Sequence, residues 1–89
     1  MAELRAAIDE VDAALVSLLA QRAGYIDQAV VLKKREGLPA RIDARIEQVI
    51  ANVRAEAGRA GFDADLAEKI WRLVIEWSIR REEQGLDKQ

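Results

Sequence analysis

The chain contains no cysteine and no histidine. Without cysteine there is no disulfide, no thiol nucleophile and no Cys-ligated zinc or iron–sulfur cluster. Without histidine the commonest general base and the commonest transition-metal ligand are missing, and a Ser-His-Asp triad cannot be assembled. Proline occurs once and glycine five times in 89 residues, so helix breakers are scarce. Neither sign of charge dominates. Lys and Arg total 14 against 16 Asp and Glu, a net charge of −2, which does not suit a nucleic-acid binder. The apolar runs are only a few residues long, too short for a membrane span. Arg5, Asp9, Glu10 and Asp12 interrupt the stretch where a secretory signal needs an apolar core, so a cytoplasmic protein is expected.

What remains is rich in Ala, Leu, Ile, Val, Glu, Arg and Lys, with 51% hydrophobic and 34% charged residues, a balance that folds and favours an all-α protein. The length suits a single domain over 1–89, one that as a monomer would bury only about 64% of its extended-chain surface. Gly37-Leu38-Pro39 and the stretch Gly58 to Asp63 are breaks, and Gly85 opens a polar tail. Three helices are predicted, over roughly 3–36, 41–57 and 64–84. Asp63 or Asp65 can cap the third, and Asp65 with Glu68 has the spacing of a capping box.

The first helix carries a sustained 4-3 pattern: Leu4, Ile8, Val11, Leu15, Leu18, Arg22, Tyr25, Ala29, Leu32. Gly24 within it offers room for a close helix approach. A helix of this length spans about 51 Å. A compact chain of 89 residues has a radius of gyration near 12 Å. The first helix therefore overhangs any monomeric bundle, and a homodimer with paired long helices is expected.

The candidate chemistry lies in cations at core-like positions. Arg22 and Lys33 are eleven residues apart, about 20° of helical rotation and about 16 Å of rise, so they share a face. Arg5 lies about 25 Å along the axis from Arg22, beyond the reach of one small ligand within one chain. An antiparallel partner brings it near. Arg45 borders the apolar stripe Ile42, Ile46, Val49, Val53. In the third helix Ser78 and Glu82 continue the stripe of Trp71 and Ile75 inward. Each residue alone has a plainer reading. Arg22 suits an interhelical ion pair with Asp12, Glu76 or a partner carboxylate. Lys33 opens the charged run Lys33-Lys34-Arg35-Glu36, Arg5 and Arg45 suit the surface, and Ser78 and Glu82 suit a helix end turning toward water. Together, the cations, one hydroxyl and one carboxyl around an apolar cavity suit a small dianionic ligand.

The ordered set Leu4-Arg5-x-x-Ile8-Asp9-x-x-Asp12, Leu15-x-x-Leu18-Leu19-Ala20-x-Arg22, Lys33, Pro39, Arg45, Gly61-Phe62-Asp63 and Trp71-Arg72-x-Val74-Ile75-Glu76-x-Ser78 resembles the all-helical chorismate mutase family over nearly the whole chain. The resemblance implies an intertwined helical homodimer. It implies rearrangement of chorismate to prephenate, a step of the shikimate route to aromatic amino acids, with no cofactor and no metal. It further implies that Arg5 from the partner chain and Arg22 bind the two carboxylates. Lys33 contacts the ether oxygen, Arg45 completes the cationic wall, and Ser78 touches a ring carboxylate. Glu82 stands where many members have a glutamine that donates to the same ether oxygen. A carboxyl must be protonated to donate, so activity is expected to fall as pH rises, unless Glu82 instead pairs with Lys33 and stays ionised.

Other positions depart from the mutase pattern. Ile46 follows Arg45 where mutases commonly have glutamate, and Ile42 stands where some have aspartate. These apolar residues, Tyr25 and the short Gly37-Leu38-Pro39 loop resemble the related isochorismate pyruvate lyases, which yield salicylate and pyruvate. The expected partners are thus a small dianionic substrate, chorismate or isochorismate, and a second copy of the chain. No nucleic acid or membrane is expected. A non-catalytic helical dimerisation or regulatory module is the alternative of a different class.

Overall fold

A computed structural model describes residues 1–88. The punctuation in the sequence becomes two tight connections between three helices: α1 (Ala2–Glu36), α2 (Asp43–Ala60) and α3 (Ala64–Asp87). Among the described residues there is no strand. α1 stops where Gly37 turns left-handed at φ 69°, a conformation that costs glycine little. The amide of Leu38 then closes on the Lys33 carbonyl at 2.9 Å. Pro39 and an extended Ile42 (φ −128°) carry the chain into α2.

The ends of α2 and α3 lie beyond the predicted 57 and 84, at Ala60 and Asp87, and α2 starts at Asp43 rather than 41. α2 runs through Gly58 to Ala60, because the left-handed residue is Gly61 at φ 72°. There Gly61 donates to Gly58 at 3.3 Å and Phe62 to Ala57 at 2.8 Å, closing a Schellman turn. α3 is capped by Asp63, whose carboxylate accepts from the Leu66 amide at 3.0 Å. Asp65 and Glu68 form no capping box; both pair instead with Arg54 at 3.0 Å. The expected tail from Gly85 is helical through Asp87. Gly85 packs on α1 so closely that an added Cβ would lie 2.9 Å from Val30 Cγ1, and Leu86 beyond it packs on the core. Gly24 makes no such approach, for the space beside it is open within the chain.

α3 is the central element. It packs on α1 and on α2, whereas α1 and α2 do not pack on each other. Ion pairs Glu47–Arg72 and Arg54–Glu68 run in opposite sequence order on α2 and α3, as does Arg41–Glu76 from the connection before α2, so the hairpin is antiparallel. Arg22–Ser78, Asp27–Arg81 and Lys33–Glu82 run in the same order, so α1 and α3 are parallel. The core is small: Ala40, Ile50, Ile75 and Ile79, flanked by Ile46, Val49, Trp71 and Leu86.

The other half of α1 is bare. No residue of α1 is fully buried, and the 4-3 seam from Leu4 to Leu18 lies open to solvent, with Leu4, Leu15 and Leu18 all more than half exposed. The molecule is 52 Å long, with a radius of gyration of 15.7 Å against about 12 Å for a compact chain of this length.

Candidate active site

One face of each helix and one loop meet around a cavity of about 230 Å³. α1 contributes Arg22, Ile26, Ala29 and Lys33, whose 4-3-4 spacing stacks them on the side turned toward α3. α3 contributes Ile75, Ser78, Ile79 and Glu82, and α2 with its N-cap contributes Ile42, Arg45, Ile46 and Val49. Ala40 closes the end from the loop between α1 and α2. Six of the seven site residues expected from the sequence, Arg22, Lys33, Ile42, Arg45, Ser78 and Glu82, line this one cavity. The seventh, Arg5, does not; it is exposed on the bare half of α1, four to five turns away.

Arg22 is half-buried, and its Nη1 donates to Ser78 Oγ at 2.9 Å. The Ser78 hydroxyl, itself buried, donates onward to the Val74 carbonyl at 2.8 Å, so its lone pairs serve the guanidinium. Asp12 and Glu76 are not the partners of Arg22: Glu76 instead takes a two-pronged pair from Arg41 at 2.9 and 2.7 Å. Burial lowers the basicity of Arg22, Arg45 lowers it further, and Glu82 partly offsets both. Two guanidiniums thus repel each other across the cavity, a tension that a bound anion relieves.

Lys33 is drawn in from the charged run it begins. Its Nζ donates to the Ala40 carbonyl at 2.8 Å and lies 2.5 Å from Glu82 Oε2. Glu82 is only 5% exposed, and its Oε2 meets Lys33 as an ion-pair contact without a well-angled hydrogen bond. Arg45 stays exposed at the lip, with Nη1 donating to Gln48 Oε1 at 2.7 Å. Tyr25, in the seam by spacing, is 60% exposed and does not line the cavity.

Three cations against one carboxylate leave the cleft with two positive charges in excess, over walls that are otherwise aliphatic. Two larger hollows beside α1, of about 480 and 590 Å³, are almost wholly apolar and include Val16, Leu19, Trp77 in one and Leu15, Phe62, Trp71 in the other. Among the described residues no cluster of acids or other ligands suits a metal ion. No described helix is long and apolar enough to cross a membrane. The Ala40 carbonyl, Gln48 and the Arg41–Glu76 pair are not legible in the sequence as site features, because a backbone carbonyl carries no sequence signal and the others read as ordinary polar surface.

Fold and cleft together define an all-α protein with a small, net-cationic cleft between three helices. Residues 4–83 match chorismate mutase type II, and the chain belongs to that family. It is 38% identical to a T-protein of Enterobacter agglomerans over 79 residues, covering 89% of this chain and 21% of that protein. A T-protein of Haemophilus influenzae is 34% identical over 82 residues, 92% of this chain and 22% of the relative. A chorismate mutase of Methanocaldococcus jannaschii is 25% identical over 88 residues, covering 99% of this chain and 89% of that enzyme. The chain therefore spans about a fifth of the length of the two T-proteins.

Proposed function

We propose that the chain is a chorismate mutase, a single domain over residues 1–89, acting in the cytoplasm on chorismate to give prephenate. The reaction is an isomerisation: the ether C–O bond breaks while a C–C bond forms between the enolpyruvyl methylene and the ring. No proton is transferred, so the lack of histidine and cysteine is no obstacle. The observation that carries the reading is Lys33, an ammonium fixed by two acceptors at the floor of a cleft whose other cations are Arg22 and Arg45. Arg22, with Arg5 of a second chain, binds the carboxylates and holds the compact conformer, Arg45 completes the cationic wall, and Ser78 orients Arg22 beside the ring carboxylate. Lys33 faces the ether oxygen, where negative charge grows, and Glu82 stands beside it. Ile42 packs against the ring. Restriction of the conformer and preplaced charge are the two sources of rate.

The same reading takes the working unit as a homodimer. The chain exposes 6845 Å², against roughly 5,200 Å² for a compact monomer of its mass. That excess is larger than the roughly 800 Å² per partner of an ordinary stable interface. An antiparallel partner α1 would cover the bare seam and deliver its Arg5 to the cleft. The apolar Ile42 and Ile46 beside Arg45 favour one second reading, isochorismate pyruvate lyase. A paired turnover assay separates them. Prephenate from chorismate supports the mutase; salicylate and pyruvate from isochorismate, with weak chorismate turnover, would replace it. A folded dimer that turns over neither would be a non-catalytic module.

A further inference from the structure

The ammonium of Lys33 has three protons to donate. The Ala40 carbonyl accepts one at 2.8 Å, and Glu82 Oε2 holds the charge as an ion-pair contact at 2.5 Å. That leaves at least one donor for the cavity that Lys33 lines. The direction of that donor depends on both acceptors. Glu82 belongs to α3 and is fixed by burial. Ala40 sits in the connection between α1 and α2, a segment with no helical hydrogen bonds of its own to fix it.

Something else must hold that carbonyl. The methyl group of Ala40 is buried in the core, which fixes the residue's depth. The next residue, Arg41, makes two parallel hydrogen bonds to Glu76 of α3, at 2.9 and 2.7 Å. A two-pronged guanidinium–carboxylate pair sets orientation as well as distance. Glu76 and Glu82 lie on one rigid helix, so α3 governs both acceptors of Lys33, one directly and one through Arg41. The pair is about half exposed on each side, where ion pairs add little to stability. Its value is therefore geometric.

We propose that Arg41 and Glu76 are positioning residues for Lys33, holding the Ala40 carbonyl where it balances the pull of Glu82 on the ammonium. Without the clamp the carbonyl drifts, and Lys33 is left with Glu82 as its sole fixed partner. The ammonium then turns about that contact, and its free donor no longer stays aimed at the reacting ether oxygen. This rests on the mutase reading for its kinetic consequence, but its geometric content stands apart from it.

The test uses the full-length protein with Arg41→Ala, Glu76→Ala, the double variant, Arg41→Lys, and the swap of Arg41→Glu with Glu76→Arg. Expected is a roughly tenfold to hundredfold fall in kcat for either alanine variant, the scale of a small misplacement of a reacting group. KM should stay within about twofold, the mark of an interaction felt in the transition state. The double variant should be no worse than either single one, the swap should recover much of the loss, and Arg41→Lys should recover little. Thermal midpoints should barely move. Unchanged kcat, or a loss that only tracks falling stability, overturns the proposal. A second readout needs no substrate: the 1H–15N signal of the Lys33 ammonium, assigned by its loss in Lys33→Met, should shift and exchange faster in Arg41→Ala. An unmoved ammonium signal refutes the clamp. A wild-type protein inert toward chorismate with a signal that does move refutes the mutase reading and leaves the clamp standing.

Discussion

On the proposed mutase reading, the chemistry turns on Lys33 and Glu82. A carboxylate 2.5 Å from the ammonium accepts its charge and has no proton to offer the ether oxygen, whereas a neutral amide donates and leaves the lysine its full charge. Glu82→Gln should accordingly raise kcat. A kcat that Glu82→Gln leaves level or lowers would sink the idea. Arg22 and Lys33 are more demanding positions. Replacing either by alanine should lower kcat/KM by two to three orders of magnitude, about the loss seen when one preplaced charge-stabilising donor is removed. Far-UV circular dichroism and gel filtration should leave the fold and oligomer unchanged. A merely structural Arg22 would show the reverse, lost stability with activity retained.

Among the elements, α3 carries the most, since both neighbours pack on it and the cleft hangs from it. Its tightest approach is Gly85 against Val30. Gly85→Ala would place a Cβ 2.9 Å from Val30 Cγ1, and strain of this kind costs about 1–3 kcal/mol, partly offset by alanine's better helix propensity of about 1 kcal/mol. A net drop in thermal midpoint is expected, and a rise would mean α3 can slide along α1 at no cost. The flanks of α3 are stitched by exposed ion pairs whose acids have lowered pKa values. Asp27 is lowered first by its hydrogen bond from Arg81, Glu68 by that from Arg72, and Glu76 by that from Arg41. A lowered folded-state pKa stabilises above the ordinary carboxylate range. That contribution is lost as pH falls through the lowered values, below the ordinary 3.8 of aspartate and 4.5 of glutamate. Thermal midpoints should therefore hold near neutrality and fall on acidification below about pH 4.5, by less in high salt. A midpoint that stays level to strongly acidic pH would show the pairs contribute nothing.

For the molecule as a whole, the decisive matter is the bare half of α1. If a partner's Arg5 completes each cleft, Arg5→Ala and Lys33→Ala homodimers are both impaired in both sites. Mixing the two chains creates heterodimers with one intact site and one doubly defective site. An equal mixture refolded together should recover about a quarter of wild-type activity, since half the dimers are mixed and each has one good site. No recovery, with mixed dimers present, would place Arg5 outside the cleft.

Much of this architecture is legible in the chain. Periodicity and scarce breakers specify three helices because local backbone preferences act over a few residues, and the length of α1 already exceeds what a monomeric bundle can cover. Arg22, Lys33, Arg45, Ser78 and Glu82 can be selected from spacing because helical rotation fixes which residues share a face. The helix ends at Ala60 and Asp87 are not legible in that way. A Schellman turn chose Gly61 over Gly58, and packing of Gly85 and Leu86 on α1 and the core outweighed glycine's weak propensity. Nor do local rules select the Ala40 carbonyl as a ligand of Lys33, or Arg41 over Arg22 as the partner of Glu76. Those choices depend on how three rigid helices meet, because a hydrogen bond forms only where tertiary packing brings its two groups within about 3 Å of each other.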